Sequence, residues 1–121
     1  MTDKELLELA AKAAGISLEW DGEPKDWLPM YYKGKTYHIF NPLEDDCDAL
    51  RLESKLRLEI EHGSLLDNNL YVRVFRSGIE IVCDPTSVIE EFEDESGRIS
   101  ATRRAITRAA AEIGKSMKAK P

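Results

Sequence analysis

The chain has 121 residues, a formal charge of −6, two cysteines and 33% charged residues. A length in the usual single-domain range and 42% hydrophobic content exclude a disordered chain, and no apolar run approaches the ~20 residues of a membrane span. Two cysteines are too few for a disulfide scaffold, and the acids of residues 1–9 leave no apolar leader core, so the expected setting is a reducing cytoplasm.

Thr2 or Asp3 is placed to cap a first helix over about residues 3–14, with Leu6, Leu9 or Ala10, and Ala13 at helical spacing and Gly15 as its left-handed stop. Residues 16–29 are rich in turn formers, with a short strand suggested by the alternation of Ile16, Leu18 and Trp20. Aromatic and β-branched runs on both sides of Lys33-Gly34-Lys35 predict a β-hairpin that ends at Asn41-Pro42. Asp45 or Asp46 then caps a second helix with Ala49, Leu52 and Leu56 on its buried stripe. Near residues 56–58 the apolar period changes from helical to two, which marks a strand. Residues 63–69 read as a loop, and alternation through Val74 predicts a strand. Ser77-Gly78 then turns the chain into a partner strand at 79–83, and a further strand is expected at 87–92.

The last helix is the clearest element. Ser100 is its expected N-cap, and Thr102, Ala105, Ile106, Ala109, Ile113 and Met117 share one arc of about 120° on a wheel of 100° per residue. Arg104, Arg108, Ala111 and Lys115 fall opposite. The order predicts an α+β fold: an antiparallel sheet built from two hairpins or a meander, packed with about three helices in a layered sandwich. Residues 1–118 form a single domain and 119–121 a tail.

The net charge conceals two opposite segments. Residues 98–121 hold seven basic residues and one acid, a charge of +6, whereas residues 1–97 hold ten basic and 22 acidic residues, a charge of −12. Either the basic helix contacts phosphates or an acidic partner, or it docks on the acidic body, with Arg103 facing the run of acids at 90–95.

Two strings carry a family resemblance. Asn41-Pro42-Leu43-Glu44-Asp45-Asp46-Cys47-Asp48-Ala49-Leu50-Arg51-Leu52 and Ala101-Thr102-Arg103-Arg104-Ala105-Ile106-Thr107-Arg108-Ala109-Ala110-Ala111-Glu112-Ile113-Gly114-Lys115, in this order with a β-region between, resemble the signature segments of the phage ABA-sandwich family. The resemblance covers residues 1–118. Cys47 stands where that family tends to have Gly, and the stretch 57–70 is longer than usual. The resemblance implies a bacteriophage or prophage origin and the bacterial host cytoplasm; it brings no assigned chemistry.

Site motifs are sparse. The acids Glu44, Asp45, Asp46 and Asp48 suit helix capping better than cation binding, because successive residues diverge. His38, Cys47, His62 and Cys83 lack the paired spacing of a zinc site, and a Cys47–His38 nucleophilic pair would lack an orienting third group. No metal, cofactor or catalytic residue is therefore expected. The binding candidates are the basic stripe Arg104, Arg108 and Lys115, the carboxylates Glu90, Glu91 and Glu93 as a phosphate-like row, and Trp27 as an aromatic contact. The expected function is a non-catalytic phage accessory protein that binds a host or phage protein, such as an inhibitor of host defence. The alternative is a nucleic-acid-binding module using the C-terminal helix. A homodimer through an open sheet edge or the Ala-rich helix is compatible with both.

Overall fold

Short polar side chains open the first two helices. Thr2 accepts a hydrogen bond from the Glu5 amide at 3.1 Å and starts α1 (Asp3–Ala13). Asp45 accepts from the Cys47 amide at 2.8 Å and starts α2 (Asp46–Leu56). In both, an oxygen satisfies an amide that has no partner within the helix. Gly15, at φ +73°, follows α1 in the left-handed conformation that only glycine adopts without strain.

A computed structural model describes residues 1–21, 28–65, 69–76 and 87–117. Trp27, Cys83, Lys118, the 119–121 tail and the strand expected at 79–83 lie outside the described residues.

The described chain has three helices and two three-stranded antiparallel sheets, an α+β fold. The first sheet joins β1 (Glu19–Asp21), β2 (Leu28–Lys33) and β3 (Thr36–Ile39) in that order. The β2–β3 hairpin turns at Gly34, φ +67°, as the sequence predicts. The second sheet joins β4 (Leu58–Ser64), β5 (Leu70–Arg76) and β6 (Val88–Phe92). The helix-to-strand switch falls at Arg57, which takes a left-handed conformation at φ 55° and ends α2 one residue before β4 begins.

β5 pairs with β4 on one side and with β6 on the other. Two local expectations change. β4 extends to Ser64, into the expected loop, because Gly63 and Ser64 pair with Tyr71 and Leu70 and the Tyr71 ring lies over the bare Gly63 backbone. The last helix, α3 (Arg98–Ser116), starts two residues before Ser100 and has no side-chain cap. It grows instead out of a 3-10 turn (Glu95–Gly97) that Asp94 caps by accepting from the Ser96 amide at 3.0 Å.

α3 is the central element and packs against α1, α2, β5 and β6. Its buried set is Ala105, Ile106, Thr107, Ala109, Ala110, Ala111 and Gly114. That is wider than the predicted arc: Ala111 is buried rather than on the outer stripe, and Met117 is exposed. The cause is α1, which covers a second face of α3 with Ala10, Ala11 and Ala14. The two helices run in the same direction, since Asp3 meets Arg104 and Lys12 donates to the Met117 carbonyl. The core continues through Leu52, Leu58, Val72, Val74 and Val88.

Candidate functional site

The arginines of α3 are engaged within the fold. Arg108 Nη1 donates to Glu90 Oε1 at 2.7 Å and to the Ile89 carbonyl at 3.2 Å. Arg104 pairs with Asp3 at 3.1 Å and approaches Glu90 at 3.7 Å. Glu90 sits on the β6 face turned toward α3, half-buried between the two guanidiniums. Arg103 does not reach the run of acids at 90–95. It crosses to α2, where Nε donates to the Leu43 carbonyl at 2.9 Å and Nη1 pairs with Asp46 at 2.7 Å. Of the basic stripe only Lys115 is exposed without a partner among the described residues.

The row of carboxylates is divided in the same way. Glu90 faces inward, Asp94 caps the 3-10 turn and Glu95 forms a two-pronged pair with Arg98 at 2.6 and 2.7 Å. These bonds hold the Asp94 and Glu95 carboxyls below their ordinary range, the Ser96 hydroxyl dominating for the first and the Arg98 guanidinium for the second. Glu91 and Glu93 remain exposed, with no ion pair among the described residues.

The other titratable groups are dispersed. His38 stacks on Tyr31 with ring centroids 5.4 Å apart, in the first sheet, while His62 lies on β4 in the second. Cys47 is exposed in the first turn of α2, and no hydrogen bond joins it to His38 among the described residues. No three His, Cys, Asp or Glu side chains converge on a point among the described residues, and no described helix is long and apolar enough to cross a membrane.

A shallow groove of about 360 Å³ lies between α2, α3 and β4. Ala49 and Ile106 form its buried floor. Its walls are Leu50, Ile60 and Ile99, which are 64%, 37% and 60% exposed. Leu50 lies one residue off the buried stripe of α2, and Ile99 sits in the first turn of α3, before the helix meets the sheet. At one end stands the Arg103–Asp46 pair. At the other, Arg98 binds Glu95 and approaches His62 Nδ1 at 2.7 Å. A guanidinium only donates, so in this contact the acceptor is His62 Nδ1. The Thr102 hydroxyl is taken up by the Arg98 carbonyl at 2.8 Å. The apolar centre of the groove is thus bounded by charges that are already paired.

No family model, curated protein or solved structure matches this chain.

Sequence reasoning missed the groove because its walls come from three elements far apart in the chain. The one available signal was apolar side chains off their expected stripes: Leu50 beside Ala49, and Ile99 ahead of the predicted helix start.

Proposed function

We propose that this protein is a non-catalytic accessory protein, of phage or prophage origin, that acts in the bacterial cytoplasm by binding a host or phage protein through the groove between α2, α3 and β4. The observation that carries the reading is the group of three large apolar side chains, Leu50, Ile60 and Ile99, left exposed around an apolar floor. Clustered exposure of this kind costs solvation and is characteristic of contact surfaces. The resemblance of the two signature segments supports the phage setting. Engagement of Arg104 and Arg108 by Asp3 and Glu90 weighs against the nucleic-acid alternative, because those charges are already neutralised at close range.

The test compares wild type with Leu50→Glu and Ile99→Glu. Both sites are exposed, so the variants keep the fold, as circular dichroism would check. Wild type is expected to retain a defined host or phage protein that both variants lose, and to give no mobility shift with DNA or RNA at low salt. A shift abolished by Arg104→Ala with Arg108→Ala would replace this reading with the nucleic-acid one. Identical capture by wild type and both variants would remove the groove from the mechanism.

A further inference from the structure

We infer that the open edge of β4 receives an extended segment of the partner protein, with side chains that alternate between apolar and basic, as a fourth strand of the second sheet. This rests on the protein-binding reading above and specifies the shape and charge of what is bound.

Three observations carry it. First, β4 pairs along its whole length with β5, and no described strand lies on its other side. Only Leu58 of β4 is buried. An edge of this kind presents unpaired backbone N–H and C=O groups at alternate residues. Second, Ile60 and His62 of β4 line the groove, beside Leu50 of α2 and Ile99 of α3. Side chains of a strand alternate between faces, so a segment laid along this edge sends every second side chain over the groove, where apolar groups cover Leu50 and Ile99. Third, the intervening positions of β4 are Glu59 and Glu61 on the opposite face. Arg73 and Tyr71 hold Glu61, whereas Glu59 has no partner among the described residues. A cation on the added strand, directly across from Glu59, supplies one.

One of these acids, Glu61, disfavours a second copy of this chain as the occupant. The two-fold register that pairs all of β4 with itself sets Glu61 against its own copy, and like charges directly opposite destabilise a sheet.

The test uses the full chain and three synthetic probes: a nine-residue peptide alternating lysine with valine, the same peptide with glutamate for lysine, and an amphipathic leucine–lysine helix. Amide exchange and chemical shifts are followed by NMR. The lysine–valine peptide is expected to slow exchange of the outward-facing β4 amides at least tenfold. Its affinity should fall tenfold or more in Leu50→Glu and in Glu59→Lys, and Glu59→Lys should now prefer the glutamate–valine peptide. A lysine–valine peptide that leaves β4 exchange unchanged overturns the strand proposal. If the helical probe shifts Leu50 and Ile99 without protecting β4, the strand proposal falls and the groove reading stands. If no probe shifts the groove residues, both fall. A dimer by light scattering, with the β4 edge already protected in the free protein, assigns the edge to a second copy and overturns the proposal.

Discussion

At Gly114, α3 packs directly against the backbone of α1. A Cβ built there collides with the backbone carbonyl of Leu9, which has no rotamer to move aside. Alanine gains about 1 kcal/mol of helix propensity over glycine, but overpacking against backbone costs about 1–3 kcal/mol. Gly114→Ala is therefore expected to lower the urea midpoint, and a raised midpoint would show that α1 slides freely. Asp48 is a second informative residue. Its carboxylate is buried and accepts from the Asn41 amide at 2.9 Å; burial is the main cause of its raised pKa, opposed in part by that bond. A raised pKa in the fold means a contribution that is full at low pH and is lost as pH rises through the folded value. Wild type should thus gain stability relative to Asp48→Asn as the pH falls from 7 toward 3, read from melting temperatures across that range. The caps Thr2 and Asp45 were legible in the sequence because a cap is a local event. The start of α3 was not, because its start signal is the Asp94-capped 3-10 turn that leads into it rather than a capping residue on the helix itself.

At the scale of elements, α3 shows what a helical wheel captures and where it fails. The wheel placed Ala105, Ile106 and Ala109 correctly on the core side. It placed Ala111 outside because it assumes one buried face, whereas α3 is covered by α1 and α2 as well as by the sheet. The Ala-rich face considered for self-association is consequently occupied by α1. Charge pairing between the basic helix and the acidic body was foreseeable from the sequence, but its partners were not: Glu90 serves Arg104 and Arg108, and Asp46 serves Arg103. The Arg108 and Arg104 side chains are each about two-fifths exposed, so solvent screens these pairs. A double-mutant cycle of Glu90→Gln and Arg108→Met is expected to give a coupling of about 0.2–1 kcal/mol that shrinks in high salt. A coupling unaffected by salt would mean that the Arg108 bond to the Ile89 carbonyl, and not the ion pair, holds β6 to the helix.

For the whole molecule, the charge of −6 is the sum of an acidic body and a basic helix set against it. The arginines of α3 reach Asp3 of α1, Asp46 of α2 and Glu90 of β6, so one helix ties together elements from both ends of the chain. A chain ending at Gly97 should accordingly show no cooperative thermal transition, because α1 and the second sheet each lose the face they pack on. A sharp transition in that fragment would place the core elsewhere. The fold class was readable from element order and apolar period. The groove was not, since proximity among Leu50, Ile60 and Ile99 exists only after α2, β4 and α3 have assembled.

The side-by-side alignment of the first and last helices also sets a timetable for synthesis. Leu6, Leu7, Ala10 and Ala11 leave the ribosome well before the surface that shelters them, which includes Ala110, Ala111 and Gly114. Pairings this distant in sequence are slow to form and leave apolar surface waiting. All the elements between α1 and α3 must therefore emerge before α1 is covered, and during that interval its apolar face stays open to other chains.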